Sequence, residues 1–347
     1  MPLTNNAAWL TAEKANPLEI KSAPCSSPDP DTLLIRVHAI AINPVDWMLQ
    51  YDAFFPLKYP FVLGQDVAGE IVEVGDAVEG FVKGDRIIGQ CTALASSKST
   101  EGAFQEYSQL HKNLVCKIPD DLSYADAVAV PLGFSTASVG LYSDDDLRLD
   151  LPAAGDTPPG DKGTILIWGG ATSVGLNAIQ LATRSGYKVY ATSSPTHFPL
   201  MKSLGAIQVF DYKSESIIDD LKAATSGQTL VGALDCACKS GSTSALSSVL
   251  VDSSDSRLFI SCVLPNQETL PSGVSTNFIK GVALRYDDAK SQGLWGTFLP
   301  QTLADRTYKV LPTATIVGNG LEKLQEAMEV QRKGVSAKKV VVTIGKE

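Results

Sequence analysis

The amino-acid sequence predicts an α/β protein in which a compact β barrel is followed by a doubly wound parallel sheet. The chain has 347 residues, which corresponds to about two domains of ordinary size. Its first third combines alternating, β-branched segments with closely spaced glycines. Residues 164–261 alternate between short strands and short helices, which is typical of βαβ units.

Short strands separated by tight turns are predicted for the first third of the chain. Residues 33–42, 67–74 and 86–89 are rich in β-branched side chains, which strands prefer. Glycines interrupt this region at positions 64, 69, 75, 80, 84 and 89. This spacing is typical of a compact β barrel.

A regular alternation of strand and helix is predicted from residue 164 onward. Strands are expected at residues 164–168, 187–192, 208–211, 231–236 and 257–261. Helices are expected between them, at residues 174–185, 199–204, 217–224 and 242–251. An acidic loop precedes these elements at residues 143–163, and a helix (321–333) and a strand (338–344) follow them. Elements of this size and order build parallel βαβ units with right-handed crossovers.

The charge and the cysteine content exclude several classes of function. The chain carries 29 basic and 38 acidic residues, for a formal net charge of −9. Such a surface repels phosphate backbones and anionic lipid, so we expect neither a nucleic acid nor a membrane as a partner. The sequence has no run of about 18 apolar residues and no secretory signal, and its six cysteines are scattered. A reducing, cytoplasmic location is therefore expected.

The strongest chemical signal is the glycine-rich turn that follows the strand at 164–168. Aligned with the dinucleotide-binding pattern G-x-G-x-x-G, its first and third glycines are Gly170 and Gly175, and Thr172 replaces the second. Gly170 allows the tight turn, and Gly175 lets the helix pack close to the strand. The N–H groups at the start of the helix can then bind a pyrophosphate. The alternative is a turn that only closes a βα corner.

The segment after the second strand of this region predicts NADPH rather than NADH as the cofactor. An NAD site usually carries an acidic residue there, which binds the ribose 2′-hydroxyl. Residues 191–197 contain no acid. Ser193, Ser194 and His197 can instead donate hydrogen bonds to a 2′-phosphate, with Lys202 one turn beyond. The alternative is that Ser193 and Ser194 only cap the following helix.

Other catalytic and metal-binding patterns are missing from the sequence. It has no Cys-x2-Cys pair, and none of His38, His111 and His197 lies at ligand spacing from a cysteine or carboxylate, so no metal is expected. Cys236 and Cys238 are expected on one face of a strand, as core residues. No G-x-S-x-G elbow or Walker lysine occurs. Hydride transfer needs neither, because the cofactor carries that chemistry.

Several motifs, found in order along nearly the whole chain, resemble the medium-chain dehydrogenase/reductase superfamily. They lie at residues 41–47 (AINPVDW), 63–71 (LGQDVAGEI), 82–87 (VKGDRI), 102–107 (GAFQEY), 169–175 (GGATSVG), 203–206 (SLGA), 209–212 (VFDY) and 234–236 (LDC). The resemblance implies a GroES-like β-barrel domain over residues 1–125, completed by 307–347. It implies a Rossmann NADP(H)-binding domain over residues 126–306.

Two departures indicate the zinc-independent branch of that superfamily. Zinc-dependent members carry a Cys where this sequence has Asn43, and a His-Glu pair where it has Gln65 and Asp66. The sequence resembles fungal trans-acting enoyl reductases of the lovastatin type, which serve polyketide synthases, and quinone oxidoreductases. The tail at residues 327–340 and the segment 194–198 support this resemblance.

The resemblance also implies a set of cofactor and substrate contacts. The pyrophosphate would be held by Gly170, Thr172, Ser173, Val174 and Gly175, the 2′-phosphate by Ser193, Ser194 and His197, and Tyr212 would pack near the adenosine half. The nicotinamide would lie near Cys262, Val263 and Leu264, with Asn43 and Thr136 near its other face. Phe134, Ser135, Phe278 and Leu284 would lie on the substrate side, and Tyr51 and Thr136 are the candidate catalytic hydrogen-bond donors.

The sequence thus predicts an NADPH-dependent, zinc-free reductase that transfers hydride to an activated C=C bond of an enoyl or enone substrate in secondary metabolism. The substrate would be a small molecule or a carrier-bound acyl chain, with a polyketide synthase carrier domain as a candidate partner. Met48 is the main departure, because many relatives carry a lysine there that could bind a substrate carbonyl. The alternatives are an oxidation, a cofactor-assisted isomerisation or cyclisation, and a binding protein without catalytic activity.

Overall fold

The structure is a computed structural model that describes residues 3–153, 155, 161–239 and 241–345. Its strands are β1 (Asn5–Leu10), β2 (Glu19–Ala23), β3 (Thr32–Ala41), β4 (Phe61–Val62), β5 (Asp66–Val74), β6 (Arg86–Gln90), β7 (Tyr107–His111), β8 (Val115–Lys117), β9 (Thr164–Trp168), β10 (Lys188–Ser193), β11 (Ala206–Asp211), β12 (Leu230–Asp235), β13 (Phe259–Cys262), β14 (Ser275–Phe278), β15 (Thr313–Asn319) and β16 (Lys338–Thr343). Its α-helices are α1 (Pro44–Trp47), α2 (Ala93–Ser96), α3 (Tyr124–Ala127), α4 (Pro131–Tyr142), α5 (Ser173–Arg184), α6 (Phe198–Ser203), α7 (Ile217–Thr225), α8 (Ser242–Asp252), α9 (Asp288–Ser291), α10 (Leu299–Ala304) and α11 (Leu324–Arg332). The chain divides into two units, Met1–Leu132 with Leu284–Glu347, and Gly133–Ala283.

The first unit is built around strand β3. A seven-stranded sheet has the order β15-β16-β3-β5-β6-β8, with β7 also paired to β3, and a three-stranded sheet has the order β2-β1-β4. The side chains of Leu33, Ile35, Val67, Ile87 and Val340 are completely buried in the core of this unit. The three strands predicted for the first third of the chain are observed as β3, β5 and β6. The β-rich, GroES-like domain is therefore confirmed.

The first unit extends further along the chain than the predicted domain boundaries after residues 125 and 306. Leu132 belongs to it, and its N–H donates to Asp66 Oδ1 at 2.7 Å. Residues 284–306 also belong to it. A buried ion pair accounts for this earlier return, because the guanidinium of Arg285 binds the carboxylate of Glu101. Further along, β16 pairs antiparallel with β3 and parallel with β15.

A six-stranded parallel sheet forms the second unit, in the order β11-β10-β9-β12-β13-β14. Helices α5 to α8 connect the strands from β9 to β13 in turn, as expected for βαβ units. The strand order reverses between β9 and β12, and doubly wound sheets bind ligands at the carboxyl ends of the strands at such a point. The predicted Rossmann sheet is confirmed. Its edge strand β14 was not predicted, because its sequence Ser-Thr-Asn-Phe is short and mostly polar.

The predicted loop at residues 143–163 lies only partly within the described chain, since residues 154 and 156–160 are outside it. Its described residues form turns and bends without a helix or strand. None of the helices in the described segments is long and apolar enough to cross a membrane.

Replacing Glu101 by glutamine is expected to destabilise the first unit by about 3 kcal/mol, because it leaves the buried Arg285 guanidinium without its counter-charge. The Glu101 side chain is 0% exposed and that of Arg285 is 13% exposed. Burial alone would raise the pKa of Glu101, but hydrogen bonds from Arg285 and Thr92 outweigh burial and lower that pKa. Urea unfolding measures the loss of stability. The matched control is Glu70→Gln in the exposed pair with Arg36, where a change below about 1 kcal/mol is expected. Equal losses in the two variants would contradict the role given to the buried pair.

Candidate functional site

The glycine-rich turn between β9 and α5 has the geometry of an anion-binding helix N-terminus. Thr172 caps α5, since its Oγ1 accepts a hydrogen bond from the N–H of Gly175 at 3.0 Å. The first N–H groups of a helix have no partner within the helix, and the helix dipole adds a partial positive charge at that end. The predicted residues Gly170, Thr172, Ser173, Val174 and Gly175 are therefore brought together at the carboxyl end of β9.

Close packing requires Gly175 in this turn. A Cβ atom at Gly175 would lie 2.4 Å from the carbonyl oxygen of Gly169, whereas one at Gly170 would meet only the flexible side chain of Met201, with its Sδ at 2.9 Å. The hydroxyl of Ser173 is buried, and it has no hydrogen-bond partner within the described chain. A backbone clear of side chains beside an unpartnered hydroxyl fits the pyrophosphate of a dinucleotide.

The residues predicted to bind a 2′-phosphate lie at the carboxyl end of β10. Ser193 is 2% exposed, and its hydroxyl donates to the carbonyl oxygen of Ser194 at 3.0 Å. Ser194 and His197 are half-buried, and the side chain of Ser194 makes no capping hydrogen bond to the 3₁₀ turn that follows it. Ser193 thus stabilises the turn, whereas the hydroxyl of Ser194 is available to a ligand. Tyr212, one residue beyond β11, is 42% exposed and has surface for a ligand to pack on.

Asp235 organises the carboxyl ends of β12 and β13. Its carboxylate accepts hydrogen bonds from the N–H of Cys238 at 2.8 Å and from the hydroxyls of Ser242 at 2.5 Å and Thr243 at 2.9 Å. Its carbonyl oxygen accepts from the N–H of Val263 at 3.1 Å. Through these hydrogen bonds, Asp235 holds the start of α8 and the end of β13 in place.

The residues predicted to lie near the nicotinamide lie at the end of β13 and directly after it. Cys262 ends β13 and is completely buried, and Val263 and Leu264 after it are half-buried.

Cys236 and Cys238 do not share a strand face, contrary to the sequence-based expectation. The strand β12 ends at Asp235, and Cys238 has a φ of +47°, which places it in a turn. Asp235 causes this turn by accepting the N–H of Cys238.

The predicted substrate-side residues differ in exposure. Thr136 in α4 and Phe278 at the end of β14 are half-buried, so each has some surface to offer a ligand. Phe134 and Ser135 have no exposed surface, and Leu284 is 2% exposed. Leu284 belongs to the first unit, whereas the other four belong to the second.

A buried, hydrogen-bonded ion pair lies at the start of β5 in the first unit. Lys339 Nζ lies 2.7 Å from Asp66 Oδ2 and donates to Asn43 Oδ1 at 2.6 Å. Asn43 Nδ2 donates to the same Asp66 oxygen at 2.8 Å. The exposures of Asp66, Asn43 and Lys339 are 0%, 3% and 3%. Such a pair is tolerated in the interior because the surrounding hydrogen bonds replace the lost hydration.

Asp46 extends this network. Its Oδ2 accepts a hydrogen bond from the N–H of Asn43 at 2.8 Å, while its Oδ1 has no partner within the described chain. Burial raises the pKa of Asp46 to about 7, and the negative charge of Asp66 adds to the rise. The N–H of Asn43 and the charge of Lys339 oppose it. A carboxyl group that titrates near neutrality therefore lies one hydrogen bond from Asn43.

Tyr51 lies in a π-helical turn, Met48–Asp52, that continues α1. Its hydroxyl donates to the carboxylate of Glu329 and accepts from Asn16 Nδ2 at 2.8 Å. The guanidinium of Arg332 lies 4.2 Å from the centre of the Tyr51 ring. Burial and the Glu329 carboxylate raise the pKa of Tyr51. A substrate oxygen that used Tyr51 as a donor would have to displace Glu329.

Sequence reasoning missed Lys339, Asp46 and Glu329. One signal could have found Lys339: it follows Lys338 in a strand, and successive strand residues point to opposite faces, so one of two adjacent lysines must face inward. No comparable signal marks Asp46 or Glu329.

Among the described residues, no group of three or more His, Cys, Asp and Glu side chains could hold a metal ion.

Two family models match the sequence. The alcohol dehydrogenase GroES-like domain matches residues 29–120, and the zinc-binding dehydrogenase model matches residues 173–254. The first match lies within the first unit, and the second runs from the start of α5 to just beyond the end of α8.

Relatives of similar sequence span the whole chain. The dehydrogenase azaJ of Aspergillus niger is 42% identical over 99% of this chain and 100% of its own. The trans-enoyl reductase himH of Aspergillus japonicus is 38% identical over 99% of this chain and 98% of its own. A quinone oxidoreductase of Pseudomonas syringae has the same fold, with a TM-score of 0.72 at 21% identity over 98% of this chain and 99% of its own. The CurK enoyl reductase also has this fold, with a TM-score of 0.71 at 19% identity over 98% and 99% of the two chains.

The raised pKa of Asp46 makes a prediction about stability and pH. Between the ordinary value of 3.8 and about 7, the folded protein keeps a proton that the unfolded chain releases. The contribution of Asp46 to the free energy of unfolding therefore falls as the pH rises through this window and is constant above it. Asp46→Asn keeps an acceptor for the N–H of Asn43 but does not titrate. Its stability relative to wild type should rise from about pH 4 to about pH 7, as measured by urea unfolding across that range. Parallel stability curves for the two proteins would contradict the raised pKa.

Proposed function

We propose that this chain, which belongs to the medium-chain dehydrogenase/reductase superfamily, is an NADPH-dependent, zinc-free enzyme. It would reduce an activated C=C bond. The observation that carries the zinc-free assignment is the position of Lys339. Its ammonium group lies between Asn43 and Asp66, two positions at which, by resemblance, zinc-dependent relatives carry a Cys and the Glu of a His-Glu pair. A buried positive charge there repels a second cation. The 38% identical relative described as a trans-enoyl reductase supports enoyl reduction as the chemistry.

Residues of the second unit would bind and orient the cofactor. The N–H groups at the start of α5, over residues 172–175, would hold the pyrophosphate, with the Ser173 hydroxyl as a further donor. Ser194 and His197 would donate to the 2′-phosphate, and Tyr212 would pack against the adenosine half. When bound, NADPH supplies the hydride.

The protein's remaining task is to position the substrate and to stabilise the charge that develops on it. Hydride addition to the β-carbon places negative charge on the carbonyl oxygen of the substrate, and positioned hydrogen-bond donors lower that barrier. Thr136 is the candidate donor from the second unit, and Tyr51, once released from Glu329, is the candidate from the first. Protonation of the α-carbon then completes the reduction.

The substrate is proposed to be an enone or enoyl compound, either free or as an acyl chain on a carrier domain of a polyketide synthase in the cytoplasm. Relatives described as trans-enoyl reductases motivate the carrier-bound form. A second candidate function, an oxidation or a cofactor-assisted isomerisation, is favoured by Met48. Methionine offers neither a charge nor a hydrogen-bond donor at a position where, by resemblance, many relatives carry lysine.

Purified protein is expected to oxidise NADPH in the presence of at least one compound from a panel of enones, quinones and acyl thioesters. The loss of NADPH absorbance measures the rate, and mass spectrometry should show a product two hydrogens heavier than the substrate. Treatment with a metal chelator should leave the rate unchanged. Normal NADPH binding without oxidation by any compound would contradict the reductase. Conversion of a substrate without net loss of NADPH would favour the non-redox alternative.

The predicted preference for NADPH is tested by Ser194→Glu. A carboxylate at this position repels a 2′-phosphate and can accept from a ribose 2′-hydroxyl, so the dissociation constant for NADPH should rise by about 10- to 100-fold. Affinity for NADH should stay equal or improve. Gln208→Glu, which adds the same charge at an exposed position of β11, is the matched control and should change neither constant appreciably. Equal effects of the two substitutions would contradict a phosphate site at Ser194.

A further inference from the structure

We propose that Cys238 and Cys262 form an oxidation-sensitive thiol pair, which hydrogen peroxide converts into a disulfide that weakens binding of the cofactor. The effect on the cofactor rests on the proposed function, whereas the disulfide itself does not. Both cysteines belong to the second unit, so the pair is complete within that unit.

A turn after β12 brings the thiol of Cys238 to the end of β13. Asp235, the last residue of β12, pairs in register with Cys262, the last residue of β13. The carbonyl oxygen of Asp235 accepts hydrogen bonds from the thiol of Cys238 at 3.5 Å and from the N–H of Val263 at 3.1 Å. The thiol of Cys238 is also hydrogen-bonded to that of Cys262. The two sulfur atoms are therefore in direct contact, and both cysteines are free thiols.

The backbone at Cys238 has a conformation that residues other than glycine rarely adopt. Its φ of +47° lies in the left-handed region. The carboxylate of Asp235 maintains this turn, because its Oδ1 accepts the N–H of Ala237 at 3.0 Å and that of Cys238 at 2.8 Å. Residues in this region are common at functional sites, where the surrounding contacts compensate their cost. The turn therefore fixes the direction of the Cys238 thiol toward β13.

Exposure and protonation give the two thiols different roles. Cys238 is half-buried, so a small oxidant can reach its sulfur, whereas Cys262 is completely buried. The hydrogen bond with Cys238, together with burial, raises the pKa of Cys262, so this thiol stays protonated. The thiolate is the reactive form of cysteine. We therefore expect Cys238 to react with the peroxide and Cys262 to react afterwards with the product.

The reaction needs one molecule of hydrogen peroxide and no other reactant. The sulfur of Cys238 attacks one peroxide oxygen, the O–O bond breaks, and the departing hydroxide takes the Cys238 proton to become water, which leaves a sulfenic acid. The sulfur of Cys262 then attacks the sulfenic sulfur. The S–S bond forms as the S–O bond breaks, and the hydroxyl group leaves as water with the proton of Cys262. Two thiols are oxidised and one peroxide is reduced to two waters.

Forming the disulfide would displace the end of β13. A covalent S–S bond is much shorter than a contact between two thiols, so Cys238 and Cys262 must approach each other. Val263 and Leu264 follow Cys262 directly and are the residues expected beside the nicotinamide, so the displacement reaches that half of the cofactor. The adenosine half is expected at Ser194 and beyond, at the ends of other strands.

The test treats the reduced protein with hydrogen peroxide, then identifies the product and measures its affinity for two probes. Peptide mapping by mass spectrometry without reductant should find the peptides of Cys238 and Cys262 cross-linked, with the loss of two hydrogens. Calorimetric titration should show the dissociation constant for NADPH raised by about 10-fold or more, the scale of one lost hydrogen bond to a ligand. The constant for 2′,5′-ADP, which has the adenosine half alone, should be unchanged, and dithiothreitol should restore NADPH binding.

Three variants locate the reaction. Cys238→Ser should bind NADPH as the reduced wild type does and should keep that affinity after peroxide treatment. Cys262→Ala should accumulate a sulfenic acid at Cys238, which dimedone traps, without forming the disulfide. Cys25→Ser removes another half-buried thiol and is the matched control, so it should respond to peroxide as the wild type does. If Cys262→Ala does not fold, the wild-type mapping still decides between the outcomes.

A missing cross-link, or one between Cys236 and Cys238 instead, would overturn the thiol pair. A cross-link between Cys238 and Cys262 with unchanged NADPH affinity, or an equal loss of affinity in Cys238→Ser, would overturn the effect on the cofactor while leaving the proposed reductase intact. A reduced wild-type protein that does not bind NADPH would overturn the proposed function and, with it, the effect on the cofactor, while the mapping would still detect the disulfide.

Discussion

The buried ion pair between Lys339 and Asp66 is the interaction on which the first unit depends. It joins the last strand of the chain to β5, and through Asn43 it reaches the beginning of α1. Two charges removed from water are stable only when their hydrogen bonds are complete, so the backbone segments that supply those bonds are constrained together. The N–H of Leu132 donates a further hydrogen bond to the Asp66 carboxylate. This bond attaches the end of the first segment of the unit to the same group. Together with the Glu101–Arg285 pair, the ion pair between Lys339 and Asp66 joins the two segments of the chain that form the first unit.

A different constraint governs the second unit. The backbone of the turn after β9 must approach the start of α5 so closely that Gly175 has no room for a Cβ atom. That approach directs the helix N-terminus at the carboxyl ends of the parallel strands, where a dinucleotide phosphate is bound in folds of this kind. Asp235 has a corresponding role for α8, because its carboxylate accepts hydrogen bonds from the first residues of that helix. The two units therefore use different means, a buried charge pair and a glycine turn, to position polar groups precisely.

Local sequence patterns were sufficient for most of the second unit. The strand β9, predicted at 164–168, has those bounds, and α5 and α7 lie within two residues of their predicted ends, because their apolar periodicity is strong. The edge strands β14 and β15 were not predicted, because edge positions are partly exposed and tolerate polar sequences. The glycine turn and its neighbours could be found from spacing alone. The Lys339 network could not, because it joins residues about 270 to 300 positions apart through a sheet register that local patterns do not encode.

A crystal structure of the protein with NADPH bound would test the account most directly. The account predicts the pyrophosphate at the N–H groups of residues 172–175 and the 2′-phosphate at Ser194 and His197. A pyrophosphate bound elsewhere would contradict the role of the glycine turn.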